Sequence, residues 1–157
     1  KKIHNVHGST IFFNKKVFLK NHGFDSKIFL YWEETDFTKR ALKKGYHAYQ
    51  LNKVKVIHEK GKAVYVKNNQ EEQKLIHLYS WHFIWSKFYF FKKHYGKIFA
   101  LIYFMPILLR ILFRITYYKL TNNNKFLKYY YRLNGVLSSI LEKKSYMRLN
   151  NIKLHIQ

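Results

Sequence analysis

The chain has 157 residues and a formal net charge of +22, from 30 Lys and Arg against eight Asp and Glu. At 48% hydrophobic and 20% aromatic it has the material for a core, which excludes a disordered basic tail; zero Cys excludes a disulfide scaffold, a thiolate zinc site and a Cys nucleophile. One Pro and six Gly exclude collagen-like and Pro-rich linker chains. A folded and very basic protein implies an anionic partner: nucleic acid, an acidic membrane surface or a phosphorylated substrate. The chain opens at Lys1 inside what reads as a structural unit, with no signal-peptide pattern behind it, and is expected to be a piece of a longer protein.

In chain order, residues 10–13 read as a short strand. Asn14 is a candidate N-cap for a helix through Val17, Phe18 and Leu19 that stops near Gly23. After an apolar stretch at 29–32, a second helix is predicted over 35–44. Its acids lead, Lys39, Arg40, Lys43 and Lys44 trail, and Gly45 ends it, an order that suits the helix dipole. Residues 46–58 read as extended chain. The alternation Lys53-Val54-Lys55-Val56 puts Val54, Val56 and His58 on one face, with His58 directed inward.

The second half is helical by composition. A long aromatic helix is predicted over 71–95, ending near Gly96, followed by an uncharged apolar run at 98–109 that contains Pro106. Arg110 and Arg114 come next, then a loop at Asn122-Asn123-Asn124 and one or two shorter basic helices. After Glu72 there is no acid until Glu142, so the chain divides into 1–68, which holds a compact acidic cluster, and a basic, aromatic 69–157. There is no internal repeat.

The acidic cluster is the informative segment. Glu33, Glu34 and Asp36 are three carboxylates within four positions of an acid-poor chain, at a helix start where the dipole and free N–H groups stabilise anions. A carboxylate held there can stay ionised near neutral pH and act as general base toward a hydroxyl. The plain structural reading is an acidic first turn that complements the lysines.

The order of residues carries a resemblance. Gly8, Gly23-Phe24-Asp25, Phe29-Leu30-Tyr31-Trp32-Glu33-Glu34-Thr35-Asp36-Phe37, Arg40, Gly45-Tyr46 and His58 together resemble the acceptor half of family 2 glycosyltransferases, specifically bacterial rhamnosyl- and galactofuranosyl-transferase-like members. The resemblance covers roughly residues 6–61 and rests on the joint spacing. It implies an α/β fragment, the acceptor half of a GT-A Rossmann-like domain, followed by a mainly helical, membrane-associating region. It further implies that Glu34 is the catalytic base and that Trp32 and Glu33 line the acceptor pocket. Asp36 and Arg40, at i and i+4, are grouped with these substrate-binding residues as a supporting surface pair. His58 is implied as a ligand to a divalent metal, Mg²⁺ or Mn²⁺.

This sequence departs from the family pattern in three places. Glu34 stands where Asp is usual, Gln50-Leu51-Asn52 lacks a common Pro, and the only aspartates, Asp25 and Asp36, form no Asp-x-Asp motif. The nucleotide-sugar half is expected to precede Lys1, and the chain alone is expected to be inactive. The donor would be a nucleotide-diphosphate sugar and the acceptor a saccharide or a lipid-linked one.

Residues 97–118 approach transmembrane length, but Tyr103, Arg110, Arg114 and Tyr117 share a face opposite Leu, Ile and Phe. That pattern favours a helix lying in the interface of an anionic membrane over one that spans it or one buried in a soluble core. The expected location is the cytoplasmic face of a bacterial membrane. Nucleic-acid binding is the rival from another class, given the basic and aromatic interleaving at 79–97. It is disfavoured because the aromatics recur on all faces and no recognition motif is present. His4 and His7 form no zinc signature, the glycines form no phosphate loop, and His58-Glu59 lacks the second His of a metalloprotease helix.

Overall fold

The computed structural model of the chain describes residues 1–6, 8–58 and 64–154. His7, Glu59 and Gly61, each of which figures in the sequence reading, lie outside the described residues. The chain forms two compact units, one of Lys1–Ile28 with Trp32–Tyr65 and one of Phe29–Tyr31 with Val66–Gln157.

In the first unit, helix α1 (Lys15–Lys20) starts where Asn14 caps it, its side-chain oxygen accepting from the N–H groups of Lys16 and Val17. The helix stops at Lys20, and the turn beyond it closes at Gly23, whose N–H reaches back to the Phe18 carbonyl at 3.0 Å with φ at +59°. Helix α2 (Glu33–Lys43) starts two residues earlier than the predicted 35, so both glutamates lie in its first turn. Gly45, with φ at +82°, turns the chain out of it. Phe13, Phe18, Phe24 and Phe37 form one cluster in which every ring meets the other three, at centroid distances from 4.9 to 5.7 Å. This cluster joins the α1 and α2 segments and supplies the apolar contact that two short helices need.

The expected Rossmann-like α/β architecture is not what the chain forms. Among the described residues the only sheet pairs β1 (Lys2–Ile3) with β2 (Ala48–Tyr49), antiparallel, with Lys2 opposite Tyr49 and Ile3 opposite Ala48. The fold is mostly helical. Residues 10–13 make no strand, and of the extended stretch 46–58 only Ala48–Tyr49 pairs. The physical reason is partnership: a strand in a parallel sheet needs a neighbour on each side and a helix over each face. Residues 10–13 are mostly apolar and Lys53-Val54-Lys55-Val56 alternates, yet neither segment finds a ladder among the described residues.

The second unit contains α3 (Asn69–Tyr95), α4 (Lys97–Leu120) and α5 (Lys125–Ile140), then a short 3₁₀ turn at Leu149–Asn151. Asn68 caps α3 through the Glu71 N–H, and Gly96, at φ +92°, separates α3 from α4. One core cluster gathers Leu75, Leu78, Trp81 and Trp85 of α3 with Tyr131, Met147 and Ile152. The other joins Ile84 and Phe88 to Ala100, Phe104 and Ile111 of α4 and Val136 of α5. Gly135 lets α5 lie close on α3: a Cβ there would stand 2.6 Å from the Trp81 carbonyl oxygen. Both indole N–H groups of this unit are satisfied, Trp81 donating to Asn134 and Trp85 to the Lys143 carbonyl.

Helix α4 is long and apolar enough to cross a membrane, and only 17% of its most apolar window is buried. Ala100, Phe104 and Ile111 face inward, while Ile98, Ile102, Met105, Leu109 and Phe113 form an exposed stripe. The described residues therefore do not bury α4 as a soluble core helix would be buried.

Candidate functional site

The acidic turn of α2 is preceded by Trp32 in the left-handed region, with φ at +72°. For a residue with a side chain that conformation costs about 1–3 kcal/mol, and such residues concentrate at functional turns. It sets the first turn of α2 without a side-chain cap, the Asp36 N–H closing on the Trp32 carbonyl at 2.8 Å.

The carboxylates then have three different environments. Glu33 is half-buried, and burial pushes its carboxyl above the ordinary value. Its own N–H offsets part of that shift and the Glu34 charge adds to it. Its Oε2 is shielded from water and has no hydrogen-bond partner among the described residues. Glu34 lies against Gly8, where a Cβ would stand 3.7 Å from the carboxylate carbon, an ordinary van der Waals contact. The Thr35 hydroxyl donates to the Glu34 carboxylate at 3.4 Å, and the Thr38 hydroxyl to its carbonyl at 2.7 Å.

Asp36 is fully buried, in contrast to the surface pair expected from spacing. Arg40 Nε meets its Oδ2 at 2.7 Å, and the rest of the guanidinium donates to the Asn21 and Gly23 carbonyls. The buried Asn21 amide donates to the Phe37 carbonyl at 3.0 Å. These five residues clamp the α1 terminus onto α2, a framework beneath the acidic turn. Asn21 was missed by the sequence reading; its one signal is its place at the helix end beside Gly23.

His58 lies elsewhere in the unit. It is exposed rather than inward, and with Val54 and Val56 it lines an open, largely apolar cleft of about 800 Å³. The alternation does put these three residues on one face, that of the cleft. Phe37, Thr38 and Ala41 of α2 also reach the cleft, whereas Glu33, Glu34, Trp32 and Arg40 do not line it.

Among the described residues no three His, Asp or Glu side chains come together as a metal site, and no carboxylate lines the cleft beside His58. One imidazole with no carboxylate beside it does not by itself hold a divalent cation, so the described residues alone do not fit one.

A further pocket, of about 260 Å³, lies within the second unit and was not foreseen. Lys87 of α3, Arg110 and Arg114 of α4, and Tyr129 and Arg132 of α5 line it. Arg114 donates to the Tyr129 hydroxyl at 2.6 Å, and the guanidinium carbons of Arg114 and Arg132 lie 5.3 and 5.7 Å from the Tyr129 ring centre. The sequence signal was the acid-free stretch from 73 to 141, which obliges cations on neighbouring helices to meet without carboxylates.

The chain matches no family model, no curated protein and no solved structure.

Proposed function

We propose that this chain supplies the acceptor-side residues of an inverting glycosyltransferase working at a membrane. The observation that carries the reading is the acidic first turn of α2, with two adjacent glutamates in unlike environments set by a left-handed Trp32. Unlike environments for paired carboxyls are the usual means of separating an ionised base from its neighbour. Glu34 takes the acceptor hydroxyl proton while that oxygen bonds to the anomeric carbon. The bond from that carbon to the diphosphate breaks in the same step, and its electron pair leaves with the diphosphate. Trp32 and Glu33 border the acceptor, and Asp36 with Arg40 keeps the turn in place.

The donor, a nucleotide-diphosphate sugar, would be held by residues outside these 157, since no Asp-x-Asp is present. The reading includes a divalent cation, Mg²⁺ or Mn²⁺, with His58 its one ligand from this chain and the remainder drawn from the donor-binding part. Such a cation would supply charge neutralisation to the departing diphosphate. The exposed apolar stripe of α4 supports action on a lipid-linked or growing surface saccharide, at the cytoplasmic face of a bacterial membrane.

The test is sugar transfer by the full-length protein in membranes, across a panel of nucleotide sugars with Mg²⁺ or Mn²⁺, beside Glu34→Gln. Turnover of one donor, abolished by Glu34→Gln in a folded protein, is the expected result. Equal activity in Glu34→Gln would move the base to another carboxylate. No turnover of any donor by the folded wild type would overturn the transferase reading.

A further inference from the structure

We propose that the pocket between α3, α4 and α5 binds a phosphate group. The inference stands apart from the transferase reading, because every residue it uses belongs to the second unit. Lys87, Arg110, Arg114 and Arg132 converge there from three helices. The only acids on those helices are Glu71 and Glu72, in the first turn of α3. Glu72 precedes Phe83, the nearest pocket residue on α3, by about 16 Å of helix. Glu142, beyond α5, pairs with Lys92 at 3.3 Å. Among the described residues, these three helices thus bring no carboxylate of their own to Arg110, Arg114 and Arg132.

Arg132 makes the case specific. Its Nε is shielded from water and has no hydrogen-bond partner among the described residues. A guanidinium N–H held in that way is costly unless an acceptor arrives. A tetrahedral oxyanion suits this donor set: guanidinium forks bind phosphate through paired charged hydrogen bonds, and Lys adds a point charge. Arg114, already fixed by the Tyr129 hydroxyl, brings a preset donor to the same wall.

The neighbourhood favours a lipid as the carrier of that phosphate. Leu109 and Phe113, next in sequence to Arg110 and Arg114, belong to the exposed apolar stripe of α4. A helix with apolar residues outward and arginines at its edge places those arginines at headgroup depth. A soluble phosphate or diphosphate would meet the same donors without using the stripe.

The experiment follows thermal unfolding of the full chain in detergent by tryptophan fluorescence. Chloride is exchanged for inorganic phosphate or pyrophosphate at constant ionic strength. In parallel, flotation is measured with phosphatidylcholine vesicles, with and without phosphatidic acid. The expected result is a saturable rise in midpoint with phosphate that Arg132→Met loses, while Arg132→Met in chloride is at least as stable as wild type. Arg110→Gln, at an exposed position, should weaken the response about tenfold. If Arg132→Met fails to fold, Arg110→Gln alone decides. A stronger response to phosphatidic acid than to the soluble anions assigns a lipid, and the reverse assigns a soluble ligand. Equal responses to phosphate and chloride, or an unchanged response in Arg110→Gln, would overturn the site and leave only diffuse screening of a highly basic chain.

Discussion

Arg40 and Asp36 meet at 2.7 Å one turn apart on α2, with the aspartate fully buried and the guanidinium also donating to the carbonyls of Asn21 and Gly23. The pair therefore joins two segments of chain as well as two charges. Arg40→Ala leaves a buried carboxylate without its charge partner and exposes two carbonyls to loss of their donor. The expected cost is about 3 kcal/mol or more. Arg40→Lys should recover only part of it, since one ammonium cannot reproduce the planar fork. Urea unfolding of the full chain, followed through Trp32 with Trp81 and Trp85 replaced by Phe in wild type and variants alike, measures both.

Glu33 gives a prediction of opposite sign. Its carboxyl is pushed up by burial, with the Glu34 charge adding to the effect, so the folded state favours the protonated form. The stability it contributes is full below the unfolded value of 4.5 and is lost as pH rises through the higher folded value. Glu33→Gln removes that loss. The variant should be more stable than wild type near pH 7, with the advantage shrinking toward pH 4. A variant less stable at neutral pH would mean that Glu33 has an ionic partner beyond these residues.

His82 makes the second unit acid-sensitive. Its ring is fully buried, Nε2 donating to the Met147 carbonyl at 2.9 Å and Nδ1 accepting from the Ser145 hydroxyl at 3.0 Å. Its pKa is lowered to about 4, chiefly by burial, with the Met147 carbonyl opposing part of the shift and the nearby Arg148 charge adding to it. A depressed folded value means that stability is present above 6.5 and is lost as pH falls toward 4. The loss across that window should reach about 3 kcal/mol. His77, lowered by burial and by Lys128, acts in the same direction. Trp81, whose ring centre lies 4.8 Å from that of His82, provides the fluorescence readout. A flat stability profile between pH 6.5 and 4 would contradict the buried neutral imidazole.

Local signals in the sequence carried through where the cause was local. Asn14 and Gly23 bound α1, Gly45 and Gly96 end α2 and α3, and the long helices follow from runs too long for anything else. The strands failed because period two reports which face a residue takes and says nothing of whether a neighbour is there to pair with. The same limit applies to the sites. Spacing placed Asp36 and Arg40 within reach of each other, but burial of the aspartate depends on Asn21 and Gly23 from another segment. It placed Val54, Val56 and His58 on one face, while the cleft that this face lines depends on residues of β1 and α2. The cationic pocket draws Lys87, Arg110, Arg114 and Arg132 from three helices, and only the missing acids hinted at it.

Gly135 tests the packing of α3 on α5. In an isolated helix Gly→Ala is favourable by about 1 kcal/mol. Here the added methyl would stand 2.6 Å from the Trp81 carbonyl and 2.8 Å from an Ile84 methyl. A backbone oxygen cannot rotate away, so the helices must separate, at about 1–3 kcal/mol. Gly135→Ala should therefore destabilise despite better propensity, and calorimetry of the full chain would detect it. A more stable variant would show that the two helices have room to part.

The stripe on α4 separates apolar from ionic attachment. Leu109 and Phe113 are exposed at 64% and 70%, so replacing both with Asp costs no core contact within this chain. In a membrane each buried side chain is worth about 1.5–3 kcal/mol, so the double variant should lose more than tenfold in affinity. Wild type should stay bound to anionic vesicles at high salt, where exposed ion pairs are screened. The variant should bind only at low salt, through its basic surface. Circular dichroism must show unchanged helix content for the comparison to hold. Alkaline carbonate then distinguishes the two membrane geometries: an interfacial α4 is released, whereas a spanning α4 resists extraction.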